Sequence, residues 1–404
     1  MRLRAALVGL VISAAAVLGV APAVAAEGVV AGAGAADAVP GQYVVVLAAT
    51  PSLRSARVLA ERYGGTMTHA YRTALPGFAA RMSAAEARRL AADPAVESVS
   101  QDRRMRLTDT QVDPPSWGLD RIDQRALPLS AGYRYPSAAS NVTAYVIDTG
   151  VRISHAEFGG RAAYGWDFVD DDAVADDCHG HGTHVAGTIG GAGTGVAKAV
   201  HVVALRAFGC DGWGEYTDVI AAVDWVTTHA ARPAVVNMSI GGPASDELNG
   251  AVQASIASGL TYAVAAGNDN ADACGASPAS APDALTVAAS DRADARAPFS
   301  NHGGCVDLFA PGVSITSAGR ASDISIAVGS GTSMAAPHVA GAAALVLAAD
   351  PAATPAQVRA TLMGLARTGA VTDPAGSLNV LLQVPGAAAA QARPRSSSGR
   401  STRR

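Results

Sequence analysis

Short apolar runs that alternate with longer helix-like stretches are the feature that most limits how residues 110–384 can fold. The runs lie at 144–147, 201–205, 235–238 and 262–265, and the helix-like stretches lie at 184–190, 216–229 and 247–258. Runs so short and so uniformly apolar are typical of strands that are buried on both faces of a parallel sheet. The alternation therefore predicts an α/β domain, a parallel sheet with helices on both faces. In such sheets functional residues gather at the carboxyl ends of the strands.

The segment before this domain follows a different order. Strand patterns at 42–47 and 96–99, a strand pair within 70–82, and helix patterns at 52–63 and from 83 to about 92 give the order β-α-β-β-α-β. This order predicts a small α+β ferredoxin-like unit, with its ordered part at about 40–107. The Gly/Ala-rich stretch 27–38 is expected to be disordered. The polar, proline-containing stretch 108–115 is expected to be a linker and a cleavage zone.

The first 26 residues have the layout of a signal peptide. Two arginines precede an apolar run at 7–20, and Ala-Val-Ala at 23–25 offers small residues for cleavage. A membrane anchor is the alternative, but the run is shorter than the roughly 20 residues that a span needs, and Pro22 follows it. No other stretch resembles a membrane span. We therefore expect a soluble mature protein that is secreted to the extracellular space.

Four cysteines, Cys178, Cys210, Cys274 and Cys305, agree with export. An even number in an exported chain suggests two disulfides. Three pairings are possible, and the order along the chain suggests that neighbours pair. A zinc site is the alternative, but the sequence has no Cys-x-x-Cys pair.

Charge is distributed unevenly between the segments. Residues 110–384 carry 13 basic and 26 acidic side chains, a net charge of −13, whereas residues 27–109 carry a net charge of +2. Residues 385–404 contain five arginines and no acid, and their Ala/Ser/Arg-rich composition predicts a disordered tail. The acidic domain argues against nucleic acid as a partner and favours bound cations.

Three short segments contain the residue types of nucleophilic catalysis. Asp148 closes the strand pattern in Val-Ile-Asp-Thr-Gly, His181 lies in the Gly-rich segment 179–187, and Ser333 opens a long apolar helix pattern that runs to about residue 349. A serine nucleophile needs a base that takes its proton, and the base needs a carboxylate that orients it and stabilises its cation. A buried strand-end carboxylate and a serine at a positive helix end fit these roles. Each residue alone could be a cap or a structural side chain, but their conjunction favours catalysis.

The three segments, in the order Asp, His, Ser, resemble the signature motifs of the subtilisin-like serine proteases. The resemblance covers residues 110–384 and is closest to the subgroup of proteinase K and aqualysin. It implies a monomeric serine endopeptidase that acts through an acyl-enzyme intermediate. It also selects His181 over His179 and His184, because the family's catalytic histidine precedes Gly-Thr-His.

The same resemblance implies an oxyanion hole and a substrate groove. Asn268, in Ala-Ala-Gly-Asn, would share the developing negative charge with the Ser333 N–H. An extended peptide would lie between two backbone edges and above a roomy apolar pocket, which predicts broad specificity with a preference for apolar or aromatic residues before the cut. Trp213 stands where the family pattern has a smaller residue. The predicted substrate-binding residues are Gly212, Trp213, Gly214, Tyr216, Ser239, Ile240, Gly241, Ala265 and Gly267.

Calcium is the cofactor that the resemblance implies. One predicted site uses the backbone carbonyls of Pro282 and Ala284 with the carboxylate of Asp307, and all three are oxygen donors, as a hard cation prefers. A plain surface-turn role for Asp307 is the alternative. A second predicted site, at Asp120, Asp123 and Gln124, resembles one in the aqualysin branch. The cysteine positions also resemble the two disulfides of aqualysin, which implies neighbour pairing.

Residues 27–109 resemble the inhibitory propeptide of the family. The resemblance implies that this unit assists folding, inhibits the enzyme intramolecularly, and is then removed by self-cleavage near Thr110. Two other functions stay open: a relative that binds peptides without cleaving them, and an esterase-type acyl hydrolase. The intact set of catalytic residue types argues against the first, and the absence of a Gly-x-Ser-x-Gly elbow argues against the second.

Overall fold

The computed structural model describes residues 27–35, 38–49, 52–103 and 109–384. The chain divides into two units, Met1–Arg106 and Leu107–Arg404. The predicted signal peptide and the predicted C-terminal tail lie outside the described residues.

The N-terminal unit is a five-stranded sheet with two helices. Its strands are β1 (Val30–Ala31), β2 (Ala38–Leu47), β3 (Thr66–Tyr71), β4 (Gly77–Arg81) and β5 (Val96–Arg103), and its helices are α1 (Leu53–Arg62) and α2 (Ala84–Leu90). The strand order is β1-β5-β2-β4-β3, and all pairs except β1 with β5 are antiparallel. The predicted ferredoxin-like order is confirmed for β2 to β5. The Ser83–Glu86 capping box that starts α2 is also present.

Two features of this unit differ from the sequence-based expectation. The stretch 27–38, expected to be disordered, contains β1 and the first residue of β2, and Gly28 donates its N–H to the Arg88 carbonyl at 2.7 Å. A Cβ on Gly28 would lie 2.5 Å from the carbonyl carbon of Ala91, so glycine here allows close packing on the end of α2. The strand β3 also begins earlier than expected, at Thr66.

Among its described residues the second unit contains six α-helices and fifteen strands, nine of which form one mainly parallel sheet. Its strands are β6 (Asp109–Val112), β7 (Gly132–Tyr135), β8 (Thr143–Asp148), β9 (Ala162–Asp167), β10 (His201–Arg206), β11 (Ala234–Met238), β12 (Gly242–Pro243), β13 (Thr261–Ala265), β14 (Ala276–Ser277), β15 (Leu285–Ser290), β16 (Leu308–Pro311), β17 (Ile315–Ala318), β18 (Ile326–Gly329), β19 (Arg367–Thr368) and β20 (Val380–Leu381). Its helices are α3 (Trp117–Ile122), α4 (His181–Gly190), α5 (Tyr216–His229), α6 (Asp246–Ala257), α7 (Thr332–Ala349) and α8 (Pro355–Leu365). The order of the large sheet is β19-β20-β16-β15-β13-β11-β8-β10-β9, and only β19 pairs antiparallel.

Alternating side chains of each central strand enter two different cores. In β8, Ala144 and Val146 pack in the core that contains α4 and α7, whereas Tyr145 and Ile147 pack in the core that contains α5 and α6. Successive side chains of a strand point to opposite faces, so a strand that is apolar throughout needs cover on both. The predicted α/β sheet with helices on both faces is therefore confirmed. The helix α4 begins at His181, earlier than the predicted 184.

The helix α7 runs through the centre of this unit. Among the described residues it is the one helix that is long and apolar enough to cross a membrane, and 83% of it is buried inside the fold. Its apolar surface contacts the sheet and the helices α4 and α8. A helix that is apolar all round is accounted for by such burial.

Lys198 is the only lysine of the chain, and it is buried beside the first strand pair of this unit. Its Nζ donates to Gln111 Oε1 at 2.6 Å and to the Gly193 carbonyl at 2.9 Å, and it lies 5.3 Å from the centroid of the Tyr133 ring. Burial lowers the pKa of Lys198 to about 7. Gln111 lies in β6, which pairs with β7, so part of the stretch expected to be a linker is a strand.

Candidate active site

Asp148 and His181 meet where β8 ends and α4 begins. The Asp148 carboxylate is only 1% exposed, and its Oδ1 lies 2.7 Å from His181 Nδ1 and accepts from the Thr149 N–H at 2.8 Å. Burial disfavours the charged imidazole, but the Asp148 carboxylate and its hydrogen bond hold the pKa of His181 above its ordinary value. This arrangement fixes the ring and stabilises its protonated form.

Asp177, which sequence reasoning missed, shapes the turn into α4. Its Oδ1 accepts from the N–H groups of His179 and Gly180, and its Oδ2 accepts from Thr183 N at 2.9 Å. A carboxylate at a helix start satisfies backbone donors that have no partner within the helix. The only signal in the sequence was an acid a few residues before the His-Gly-His motif.

Gly182, the residue after His181, must be glycine because α4 begins very close to the backbone that follows β8. A Cβ on Gly182 would lie 2.1 Å from the Gly150 carbonyl oxygen and 3.1 Å from Asp148 Oδ1. A side chain there would therefore push α4 away from the strand end that holds Asp148.

The other two histidines of the segment 179–187, His184 and His179, lie in different environments. His184 is buried, its Nε2 contacts the Ile315 carbonyl at 3.0 Å, and burial lowers its pKa to about 4. His179 is exposed, and its ring centroid lies 6.3 Å from that of His181. Within the part of the chain that the structure describes, no three His, Cys, Asp or Glu side chains form a group that could hold a metal ion.

Ser333 is the second residue of α7, as the sequence pattern predicted. Its Oγ donates to the Ser239 carbonyl at 3.0 Å, and the Ser239 Oγ donates back to the Ser333 carbonyl at 2.8 Å. In this resting arrangement the Ser333 hydroxyl is bonded to Ser239 and not to His181. Hydrogen bonds of this kind often shorten or form only when substrate binds. The Ser333 N–H belongs to the first helical turn, whose N–H groups have no acceptor within the helix.

Asn268 lies beside the start of α7, and Thr332 holds its amide in one orientation. Asn268 Oδ1 accepts from Thr332 N at 2.8 Å and from Thr332 Oγ1 at 3.0 Å. The amide oxygen is thereby occupied, which leaves the Asn268 Nδ2 group as the donor. Thr332 Oγ1 also accepts from Gly267 N at 3.1 Å.

Asn301 is a second residue that sequence reasoning missed. It is buried, its Oδ1 accepts from the N–H groups of Asp269 and Ala271, and its Nδ2 donates to the Ala266 carbonyl at 3.0 Å. These bonds fix the loop on both sides of Asn268. No local motif marks Asn301, because it reaches this loop from a distant part of the chain.

Two cavities flank the backbone segment 240–243. One has a volume of about 610 Å³, and the predicted residues among its lining are Ser239, Ile240, Gly241, Ala265, Gly267, Asn268 and Ser333. The other has a volume of about 260 Å³, and the predicted residues among its lining are Gly212, Trp213, Gly214, Tyr216, Ile240 and Gly241. Trp213 is 80% exposed, and Tyr216 Oη donates to the Pro243 carbonyl at 2.7 Å. Each predicted substrate-binding residue thus lines one or both of these cavities, which share the segment 240–243.

The cysteines form two disulfides, Cys178–Cys210 and Cys274–Cys305, with Cα–Cα distances of 5.0 Å and 5.3 Å. This is the neighbour pairing that the resemblance implied. The first bond joins the loop that precedes His181 to the segment that precedes Gly212.

The first predicted calcium site does not fit a metal ion, and this corrects the expectation for Pro282, Ala284 and Asp307. The Arg359 guanidinium binds both carboxylate oxygens of Asp307, and its Nη1 also donates to the Ala284 carbonyl at 3.0 Å. A calcium ion would have to share these oxygens with a second cation. No local pattern pointed to Arg359, because it lies on α8, 52 residues after Asp307.

The residues of the second predicted site do fit a cation. The Asp123 Oδ1 atom is buried and has no hydrogen-bond partner among the described residues, and burial raises the pKa of Asp123 to about 6. Both oxygens of Asp120 accept backbone N–H groups of the 130–131 turn. Gln124 donates through Nε2 to two carbonyls, which leaves its Oε1 as a ligand atom. A buried carboxylate oxygen without a donor is what a hard cation would satisfy.

Comparison with known proteins places these features in context. The profile of the subtilase family matches residues 139–383, and that of the peptidase inhibitor I9 family matches residues 42–108. Alkaline serine exoprotease A of Vibrio alginolyticus is 50% identical over 313 residues, which cover 76% of this chain and 58% of that protein. The chain thus spans less than two thirds of the length of the Vibrio protein.

Two further relatives match over most of their own length. The extracellular serine proteinase of Thermus sp. (strain Rt41A) is 46% identical over 376 residues, which cover 87% of this chain and 91% of that protein. Among solved structures, a cold adapted subtilisin-like serine proteinase is 53% identical and has a TM-score of 0.65, covering 66% of this chain and 97% of that chain.

Proposed function

The chain belongs to the subtilase family of serine endopeptidases, and on that premise we propose that Ser333 is its nucleophile, His181 its general base and Asp148 the carboxylate that orients the base. The observation that carries the proposal is the 2.7 Å hydrogen bond between buried Asp148 and His181 Nδ1. That bond leaves His181 Nε2 as the atom that exchanges the proton.

The reaction follows from these positions. Ser333 Oγ leaves the Ser239 carbonyl, gives its proton to His181 Nε2, and attacks the carbonyl carbon of the scissile peptide bond. The Asp148 carboxylate stabilises the imidazolium that forms. His181 then gives the proton to the leaving amine, the C–N bond breaks, and an acyl-enzyme remains on Ser333. Water, deprotonated by His181, hydrolyses the ester and restores the Ser333 hydroxyl.

Asn268 and the Ser333 N–H stabilise the negative charge of the tetrahedral intermediate. The support is the orientation of the Asn268 amide, whose oxygen is held by Thr332. Donors fixed in advance toward a developing oxyanion stabilise the transition state more than the ground state.

The substrate is an extended peptide with an apolar or aromatic residue before the cut. The cavity of about 610 Å³ beside Ser333 has a backbone-rich wall with the small residues Ala265 and Gly267, which leaves room for a large side chain. Main-chain hydrogen bonds along 212–214 and 239–241 would give affinity without strong sequence preference. The exposed Trp213 indole adds an apolar rim to the neighbouring cavity.

The enzyme is secreted, it is made as a zymogen, and it acts as a monomer. The signal-like residues 1–26 support export, and a close relative is named an extracellular serine proteinase. The match of residues 42–108 to the peptidase inhibitor I9 family supports an intramolecular inhibitor that is cleaved off near Thr110. Calcium at Asp120, Asp123 and Gln124 would act structurally, by neutralising a buried carboxylate.

Labelling with a fluorophosphonate probe tests the nucleophile. The mature protein should be labelled once, and Ser333→Ala should remove the label while the circular dichroism spectrum is unchanged. An unlabelled mature wild-type protein would refute the proposal and leave a peptide-binding role.

Digestion of a peptide library, followed by N-terminal sequencing of the mature protein, tests specificity and maturation together. We expect cuts after apolar and aromatic residues and a mature N-terminus within a few residues of Thr110. Turnover of esters without turnover of peptides would indicate an acyl hydrolase of another kind.

A further inference from the structure

Arg359 occupies the position in which the family resemblance implies a calcium ion. The oxygen donors concerned stand at the amino ends of two neighbouring parallel strands, since Ala284 precedes β15 and Asp307 precedes β16. The Arg359 guanidinium lies between them and binds donors from both.

The contacts of this guanidinium resemble those that a cation would make. Nη1 donates to the Ala284 carbonyl and to Asp307 Oδ2, each at 3.0 Å, and Nη2 donates to Asp307 Oδ1. A planar guanidinium fits a carboxylate in this two-pronged way, and it carries a charge that does not titrate in proteins. The Thr286 N–H completes the set by donating to Asp307 Oδ2 at 2.9 Å.

The helix α8 fixes Arg359 in this position. The helix begins with a complete capping box between Thr354 and Gln357, and its apolar side is anchored by the fully buried Val358 and Leu362. The arginine therefore extends from an ordered helical turn, and its side chain is 37% exposed while that of Asp307 is 11% exposed. A fixed helix reduces the entropy lost when a long side chain forms these bonds.

We propose that Arg359 is a built-in replacement for a calcium ion. Its guanidinium, which is part of the chain, bridges the Ala284 carbonyl and the Asp307 carboxylate, so these donors are held together without a metal ion. The donors that Arg359 contacts, two carboxylate oxygens and the Ala284 carbonyl, are of the kind that calcium prefers. Removing the guanidinium alone should therefore create a calcium site that the wild-type protein lacks.

Counting bound calcium tests this inference. Equilibrium dialysis with radioactive calcium is performed on the full chain that carries Ser333→Ala, so that self-digestion cannot change the count and the result does not depend on the proposed activity. The added Arg359→Ala change should raise the number of bound calcium ions by one per chain, and calcium should then raise the melting temperature more than it does in the parent.

Two control variants separate the loss of this guanidinium from loss of an arginine in general. Arg359→Lys keeps a positive charge at the locus and should gain no ion. Arg152→Ala removes an arginine of similar exposure, 34%, from its pair with Asp323. The Asp323 side chain is 53% exposed, so water can replace the lost guanidinium, and this variant should gain no ion either.

Asp307→Asn, made in the parent with Arg359 present, keeps the test decisive if Arg359→Ala fails to fold. It should leave the calcium count unchanged, because no ion is bound there. Loss of one ion in Asp307→Asn would overturn the proposal, and so would an Arg359→Ala protein that is folded by circular dichroism but binds no more calcium than the parent.

Discussion

Replacing Thr332 by valine removes a hydroxyl that ties Asn268 to the start of α7, and we expect it to slow turnover without weakening substrate binding. Thr332 is fully buried, and valine has nearly the same shape, so the change deletes hydrogen bonds and little packing. The bonds lost are those of Thr332 Oγ1 to Asn268 Oδ1 at 3.0 Å and from Gly267 N at 3.1 Å.

The size of the expected fall in kcat follows from the hydrogen bond that remains between Thr332 and Asn268. The Thr332 N–H still donates to Asn268 Oδ1 at 2.8 Å, so the amide is loosened and not released. One hydrogen bond is worth about 1 kcal/mol, which corresponds to a fall of about fivefold in kcat. Complete loss of the amide in Asn268→Ala sets the limit, a fall of about 10²–10³, which is a value measured in a subtilisin and therefore in a relative.

A double-mutant cycle, assayed with a chromogenic peptide substrate, measures the coupling between Thr332 and Asn268. In the Asn268→Ala background, Thr332→Val should change kcat by about twofold or less, because no amide is left to orient. KM should stay the same, since the amide acts on the transition state. The matched control Thr286→Val deletes a buried hydroxyl bond to the Ala279 carbonyl and should lower stability without lowering kcat. Additive effects in the cycle, or a fall in kcat of the control that matches Thr332→Val, would refute the argument.

Three further measurements address the base, the cation and the lysine. Because the pKa of His181 is raised above its ordinary value, kcat/KM should fall as pH drops through that raised pKa, and Asp148→Asn should move this acid limb to lower pH while lowering the maximum rate. Chelation of calcium should lower the melting temperature, and Asp123→Asn should remove that dependence if the buried Asp123 Oδ1 binds the ion. Burial lowers the folded pKa of Lys198 to about 7, whereas the unfolded chain keeps this proton up to about pH 10.4. The free energy of unfolding should therefore rise by about 4 kcal/mol between these pH values, a rise that Lys198→Met should abolish in chemical denaturation.

Most of the fold could be predicted because its causes are local. Each buried strand is a short apolar run, and the helices α1, α2, α6 and α8 begin with a side-chain cap. The strand β1 escaped prediction because two residues are too short for a periodic pattern. Its pairing depends on packing against α2, which only the folded unit reveals.

The residues of the site that could be predicted also have local signals, whereas those that were missed depend on tertiary structure. Asp148, His181 and Ser333 each lie in a short motif at a strand or helix end, and the family resemblance rests on these three motifs. Asn301 holds the Asn268 loop from a distant segment, and Arg359 reaches Asp307 from another helix. Partners of this kind are chosen by tertiary structure, so a family pattern applied to Asp307 alone predicted an ion where a side chain is present.

The burial of Lys198 has a practical consequence for chemical modification. Its amino group is the only one among the side chains of the sequence, and it is 8% exposed and bonded to Gln111 and Gly193. Acylating reagents that attack amines should therefore react with the folded protein chiefly at its terminal α-amino group. Coupling to an aldehyde- or ester-activated support would attach every molecule at one defined point and in one orientation.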